Sequence, residues 1–309
     1  MDYVLETFNL SKRYKKQWAL KDVNMHISKG DIYGFVGENG SGKTTVIRLV
    51  TGLISPTEGE VALFGVKASD PAILQQRKRV GAIVETPSIY LNMSAAENLR
   101  LQSSILGITE EVEEKIQNVL AEVGLQSLYE DKKNASNFSL GMRQRLGLAM
   151  ALLGEPELII LDEPMNGLDP TGIVEIRELI LSLNRTKEIT FLISSHILSE
   201  LSLVATKYGI ISKGKLLTEI TAEDLQQQCR ASIAINVRQP EALRVLLAEC
   251  LPIENCLATE SGAHIYGTID LNEILKKIID AGIEIVSINS FQASIETYYL
   301  SLIGGMQNA

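Results

Sequence analysis

Gly37-Glu38-Asn39-Gly40-Ser41-Gly42-Lys43-Thr44-Thr45 is the stretch on which the reading of this chain turns. A glycine, four residues and then Gly-Lys-Thr is the spacing of a phosphate-binding P-loop, provided that a strand leads in and a helix leads out. Asp31 to Val36 is a short apolar run that reads as a buried strand. From Thr44 to Val50, the residues Val46, Ile47 and Val50 recur at helical spacing. The glycines let successive backbone N–H groups turn inward around a phosphate, and the helix N-terminus adds the positive end of its dipole. On this reading Lys43 reaches the β- and γ-phosphates, and the Thr44 hydroxyl ligates Mg²⁺. An ordinary turn requires neither flank, so the expectation is a loop that binds nucleotide.

Composition bounds the rest. The chain has 309 residues, 45% hydrophobic and 22% charged, which suits a globular protein of two or three domains. No apolar run approaches the roughly 18–20 residues of a membrane-spanning helix. Met1-Asp2-Tyr3-Val4 lacks the basic-then-apolar pattern of a signal peptide. Cys229, Cys250 and Cys256 have no metal-like spacing and read as small buried residues in a reducing compartment. The expected location is therefore the cytosol or the cytosolic face of a membrane. The formal net charge is −9, and residues 221–309 alone hold five Lys/Arg against eleven Asp/Glu. An acidic chain without a basic stripe is a poor candidate for nucleic-acid binding, so no nucleic-acid partner is expected.

Residues 1–36 read as short strands, Val4–Phe8 and Ala19–Ile27 among them. Between these lies Ser11–Trp18, a basic run with two aromatics that reads either as a solvated hairpin tip or as an adenine-stacking edge. Spacing favours Tyr14 over Trp18 for the stacking role. Residues 51–85 add strands at Glu60–Phe64 and Val80–Val84. From about residue 86 to 156 the pattern is helical. Thr109 to Gly124 carries one apolar stripe, an acidic start and a glycine end, and its run of glutamates reads as a solvated face.

Leu158-Ile159-Ile160-Leu161-Asp162-Glu163 is a buried strand that ends in two carboxylates. A strand of that kind tolerates charge at its tip when the tip faces a site. The strand-end acid of a P-loop protein holds Mg²⁺, usually through water, and a second acid beside it orients or deprotonates the attacking water. Asp162 takes the first role and Glu163 the second. Ile189–Ser195, another apolar strand, delivers His196 at its end, within plausible reach of a γ-phosphate.

In this order, the elements resemble the nucleotide-binding subunit of an ABC transporter. The deciding motif is Phe138-Ser139-Leu140-Gly141-Met142-Arg143-Gln144-Arg145-Leu146, similar to that family's signature loop and helix. The resemblance covers about residues 1–220. It implies an α/β P-loop NTPase: a RecA-like core with an antiparallel β subdomain and a helical subdomain at about 86–156. It also implies ATP and Mg²⁺ as ligands, with the whole loop from Gly37 to Thr45 around the phosphates, Glu38, Asn39, Gly40, Ser41 and Gly42 included. Tyr14 matches the adenine-stacking aromatic and His196 the switch histidine. Two copies would sandwich the nucleotides, so that Ser139 and Gly141 of one copy donate to the γ-phosphate held by the other. Asn166-Gly167-Leu168-Asp169 resembles the loop that crosses this interface, with Asp169 linking the sites. One P-loop and one signature cannot complete a site alone, so a homodimer or pseudo-dimer is implied. Separate integral-membrane permease subunits follow in the same way, with docking expected at Glu85 and the helical insert.

Three departures refine the resemblance. Leu140 stands where glycine is commonest, and Met142 where glutamine is. Val84-Glu85-Thr86-Pro87-Ser88 puts a glutamate where most members carry a glutamine that touches Mg²⁺ and relays to the membrane subunit. Glutamate still ligates Mg²⁺, so Glu85 is carried over as a metal and catalytic residue. These exchanges look like the exporters and immunity systems for lantibiotics and bacitracin-type peptides. A generic multidrug exporter is the bland alternative. A soluble ATPase acting on DNA or ribosomes lacks its marks here, since there is neither a long coiled coil nor a second cassette. Beyond residue 220 the motifs stop. A linker helix at Thr221–Cys229, then strand, helix, two strands, helix and strand, give a ferredoxin-like order, and a last helix is expected at Ser294–Ile303. Residues 221–309 are thus expected to form a small accessory α+β domain without catalytic groups.

Overall fold

The computed structural model describes residues 3–228, 232–251, 256–266, 271–291 and Tyr298. The helix expected at Ser294–Ile303 lies outside these residues, Tyr298 apart. Two compact units are formed, Met1–Ala222 and Glu223–Ala309.

The first unit opens with β1 (Tyr3–Tyr14), β2 (Gln17–Val23) and β3 (His26–Ser28). Next, β4 (Ile32–Val36) runs through the glycine loop into α1 (Lys43–Val50), and β5 (Glu58–Leu63), β6 (Val66–Lys67), α2 (Ile73–Arg77) and β7 (Val80–Ile83) follow. Three helices, α3 (Ala95–Leu106), α4 (Val112–Glu122) and α5 (Leu140–Leu152), form the helical insert. The chain then returns through β8 (Leu158–Asp162), α6 (Pro170–Lys187), β9 (Thr190–Ser195), α7 (Leu198–Leu201), β10 (Lys207–Ser212) and β11 (Lys215–Thr221).

Among the described residues these strands make an antiparallel sheet, β2-β1-β5-β6 with β3 on β1, and a sheet ordered β11-β10-β4-β9-β8-β7. From β10 to β7 the second sheet is parallel. Its strands β4, β8 and β9 are buried at every position, because helices and the antiparallel sheet cover both faces and no alternation with polar residues is needed. One continuous core joins the two sheets through Leu5, Leu20, Tyr33, Phe35 and the α1 face of Val46, Ile47 and Val50. Burial of each such side chain contributes about 1.5–3 kcal/mol.

Two local readings change. The run Ser11–Trp18 is not a loose tip: β1 continues to Tyr14, and only Lys15 and Lys16 turn. Leu10 and Ser11 are fully buried, which carries the pairing through a bulge in the register. Helix α4 starts at Val112 rather than Thr109, because Glu111 holds a left-handed backbone (φ 52°) that a helix cannot extend through.

The second unit comprises α8 (Ala222–Gln228), β12 (Ser232–Val237), α9 (Pro240–Cys250), β13 (Cys256–Ala258), β14 (Gly262–Tyr266), α10 (Leu271–Asp280) and β15 (Ile285–Phe291). Its antiparallel sheet is ordered β13-β14-β12-β15. Ile235, Val237, Ala263 and Ile265 face a core closed by Leu243 and Leu247 of α9 and Ile274 and Ile278 of α10.

Candidate nucleotide site

Register places the site. Val36 pairs with Ser195 and Asp162 with Ser194, so the carboxyl ends of β4, β9 and β8 lie level on one edge of the sheet. The glycine loop, Glu163 and His196 therefore emerge side by side, where open α/β sheets bind their ligands. They line an open cleft of about 820 Å³ together with Tyr14, Trp18, Asn39 and Thr44.

Close packing explains the loop's glycines. A Cβ on Gly37 would stand 2.4 Å from the Ile211 carbonyl oxygen, and one on Gly42 would stand 2.5 Å from Leu20. Gly42 is also the N-cap of α1, with φ 115° and no side chain to satisfy the first-turn N–H groups. An uncapped helix start of this kind is an anion site. Ser41 Oγ is buried without a hydrogen-bond partner among the described residues, a donor inside the loop that a phosphate oxygen satisfies. The donor set thus fits a nucleotide's phosphate chain.

Lys43 is 6% exposed, and a buried ammonium must be held from several sides. It donates to the Gly37 carbonyl at 2.7 Å and to that of Glu38 at 3.3 Å, and pairs with Glu163 Oε1 at 3.2 Å. The other carboxylate oxygen, Glu163 Oε2, lies 2.6 Å from His196 Nδ1. Glu163 itself has a left-handed backbone (φ 52°), a strained conformation fixed by its N–H, which donates to the Ser194 carbonyl and to Ser194 Oγ at 3.0 Å. Ser194 Oγ in turn donates to Asp162 Oδ1 at 2.5 Å. Three strand ends are thereby tied into one polar chain running from Lys43 to Asp162.

Asp162 is buried and does not line the cleft. Among the described residues no cluster of His, Cys, Asp and Glu could hold a metal by itself. The groups at hand, Thr44 and one strand-end carboxylate, suit Mg²⁺, which keeps waters and takes substrate phosphate oxygens. Burial pushes the Glu200 carboxyl above its ordinary value; the His196 charge opposes this and the Glu163 charge adds to it.

The remaining nominated residues lie outside the cleft. Glu85 is not brought to the phosphate loop: its carboxylate pairs with Arg48 Nη2 on α1, its backbone is left-handed (φ 63°), and it does not line the cleft. The expectation of a metal contact there meets a carboxylate already committed to a cation. Ser139 is exposed and caps α5, its Oγ accepting from the Met142 N–H at 3.2 Å. Gly141 sits in the first turn of α5, next to Leu168. Asp169 is exposed and caps α6, accepting from the Gly172 N–H at 3.2 Å.

Ser194 and Lys213 were missed, and Asn166 and Trp18 were not assigned to this cleft. Ser194 reads as one more strand residue, although a hydroxyl in a fully buried strand is itself a signal. Asn166 and Lys213 line the cleft from turns, and Trp18 lines it alongside Tyr14 rather than in its stead. Lys12 lies over the Tyr14 ring and Arg13 over the Trp18 ring.

A parallel sheet with a glycine loop at its switch point and a Lys–Glu–His chain beside it defines a P-loop ATPase. The sequence profile of the family described as ABC transporter matches residues 20–166. The bacitracin transport ATP-binding protein BcrA of Bacillus licheniformis is 42% identical over 99% of each chain. The lantibiotic transport ATP-binding protein SrtF of Streptococcus pyogenes is 43% identical over 70% of this chain and 90% of its own. Among solved structures, cbiO1 of Clostridium perfringens, part of an ABC transporter complex, superposes with a TM-score of 0.66 at 25% identity, covering 73% of this chain and 91% of that one. This chain belongs to the family of ABC transporter ATP-binding subunits, and it binds and hydrolyses ATP.

Proposed function

We propose that the chain energises export of a peptide antibiotic of the bacitracin or lantibiotic type through separate membrane subunits, and so confers immunity or resistance. The observation that carries this reading is the similarity to BcrA, which runs through both units of the chain rather than the ATP-binding unit alone. No helix among the described residues is long and apolar enough to cross a membrane. In this reading the permease is a separate polypeptide, and this subunit sits peripherally on the cytoplasmic face. The groove of about 290 Å³ bounded by Val84, Thr86, Pro87, Gln102, Gly147 and Met150 is the proposed docking place.

Within the site, Tyr14 stacks on adenine, the loop from Gly37 to Thr45 holds the phosphates, and Lys43 neutralises the β- and γ-oxygens. Thr44 and Asp162 would hold Mg²⁺, which would offset charge on the phosphates. Glu163 takes a proton from the attacking water and His196 contacts the γ-phosphate. Glu85 would reach that metal only if its pairing with Arg48 were released. Ser139, Gly141 and Asp169, outside their own cleft, serve the nucleotide of a second copy.

The test is recovery of the Glu163→Gln form from its native cell in mild detergent with ATP. Co-purifying polytopic membrane proteins, together with raised susceptibility of a deletion strain to peptide antibiotics, are the expected results. Ribosomes or DNA factors without a membrane protein would overturn the reading.

A further inference from the structure

The cleft contains a cation for which the sequence suggests no task. Lys213 stands in the turn between β10 and β11 with a left-handed backbone (φ 48°). That turn is fastened at two points. The Gly214 N–H donates to the Ser41 carbonyl, within the glycine loop, at 2.9 Å, and the Lys21 N–H donates to the Gly214 carbonyl at 2.9 Å. A Cβ on Gly214 would lie 2.5 Å from the Ala19 carbonyl oxygen, so the turn presses against β2 as well. Lys213 is therefore carried by the phosphate loop and the β1–β2 hairpin together, and it lines the same cleft as Tyr14 and Lys43.

Charge accounting gives it a role. The cleft's described lining holds two lysines, Lys43 and Lys213, and one carboxylate, Glu163. Lys43 is ion-paired with that carboxylate. Lys213 is exposed, and its ammonium has no hydrogen-bond or ion-pair partner among the described residues. It thus supplies the cleft's uncompensated positive charge in a chain whose net charge is −9, where the overall field opposes an incoming anion.

We propose that Lys213 is a nucleotide-binding residue, its ammonium acting on the polyphosphate from the exposed side of the cleft while Lys43 acts from the buried side. The proposal rests on the nucleotide reading of this cleft given above. Being exposed, the contact is screened by salt, whereas the enclosed contacts of Lys43 are screened much less.

The experiment is calorimetric titration of the full chain with ADP and Mg²⁺, a ligand that is not turned over, at about 50 mM and about 300 mM salt. Lys213→Gln keeps length and removes charge; it is expected to raise Kd about fivefold at low salt and about twofold or less at high salt. Lys213→Arg is expected to stay within about twofold of the parent at both. Lys43→Ala runs alongside. If Lys43→Ala abolishes binding while Lys213→Gln binds like the parent at low salt, the Lys213 proposal fails and the cleft reading stands. A loss in Lys213→Gln that is equal at both salts, or that Lys213→Arg shares, makes the residue a structural one and also overturns the proposal. If Lys43→Ala binds like the parent too, the cleft reading itself falls and takes this proposal with it.

Discussion

Glu163→Gln separates holding from hydrolysis. The carboxylate bridges Lys43 at 3.2 Å and His196 at 2.6 Å, with 21% of its side chain exposed. At an effective dielectric of about 20, unit charges at the Lys43 separation attract by about 5 kcal/mol before desolvation is counted. After desolvation, a hydrogen bond to a charged group is worth about 1.5–3 kcal/mol. Glutamine retains an oxygen for Lys43 and turns its amide toward His196 Nδ1, which accepts in one neutral tautomer. The net loss of folding stability should therefore be about 1–2 kcal/mol. The chemical step loses more, because a positioned general base contributes about 10²–10⁴-fold, or about 3–5 kcal/mol. ATP affinity should be kept or improved, since Glu163 is the one carboxylate in the cleft's described lining and its charge opposes the phosphates. Phosphate release gives the rate, calorimetry the affinity and urea unfolding the stability. Hydrolysis at the parental rate would refute the assignment of the base. Loss of ATP binding by more than about tenfold would show instead that Glu163 acts mainly by holding Lys43 in place.

Other perturbations isolate other parts of the argument. Trp18 is the chain's single tryptophan and lines the cleft, so ATP should change its emission; Tyr14→Ala should weaken that titration about fivefold, for about 1 kcal/mol of lost stacking, and an unchanged midpoint would exclude the ring from the base's seat. Glu219 accepts from the Tyr33 hydroxyl at 2.9 Å and the His26 N–H at 2.9 Å, tying the antiparallel sheet to the parallel one. Burial pushes the Tyr33 phenol well above its ordinary value, and the Glu219 carboxylate adds to this. Glu219→Ala should cost about 3 kcal/mol in urea unfolding, and Tyr33→Phe about 1 kcal/mol. Arg100 and Tyr129 hold the Glu113 carboxyl down to about 2, and because its folded value lies below the ordinary one, the stabilisation is present above about pH 5 and vanishes as pH falls toward about 2. Glu113 is half exposed, so screening keeps the effect under about 1 kcal/mol. Glu113→Gln should lower Tm by about 2 °C at neutral pH, with the gap closing in acid; a gap that survives at about pH 2 would exclude the ion pair as its source. Ser139→Asp caps α5 as well as serine does but sets a negative charge where a partner's phosphate would dock, so stability and single-copy nucleotide binding should persist while hydrolysis is lost. Parental turnover in that variant would remove Ser139 from the reaction.

Legibility in the sequence followed the reach of each interaction. The glycine loop, the acids after β8 and the histidine after β9 could be read directly, because each is a polar break at the end of an apolar strand and parallel strands deliver such ends to one edge. Partners far apart in sequence could not. Whether Glu85 meets a metal or Arg48 depends on which side of α1 faces the end of β7, and a separation of 37 positions along the chain hides that. Lys213 reads as an ordinary hairpin turn until the Gly214–Ser41 hydrogen bond fastens it to the glycine loop. Trp18 reads as an alternative to Tyr14 until β1 and β2 pair Arg13 with Trp18 and Tyr14 with Gln17, which keeps both rings beside the cleft.

The division of groups within one copy also says what a second copy must bring. Lys43 and His196 are each tied to Glu163 within one chain, so on the proposed roles the phosphate-holding and proton-accepting groups come from a single copy. Ser139 is the converse. Its hydroxyl accepts from the Met142 N–H, and a hydroxyl that accepts still has its own hydrogen to give. The cap therefore aims the oxygen without spending the donor, at the start of a helix whose dipole favours an anion. Asp169 caps the start of α6 with a carboxylate, which accepts and has no hydrogen to give, and Leu168 rests there against the first turn of α5. The two helix starts, each tied by its own cap, pack against each other to form an edge outside their own cleft, with the Ser139 hydroxyl as the cap that can still donate. On the proposal that Ser139 serves the nucleotide of a second copy, an edge of this kind would lose little entropy on docking, because its donor is already in place.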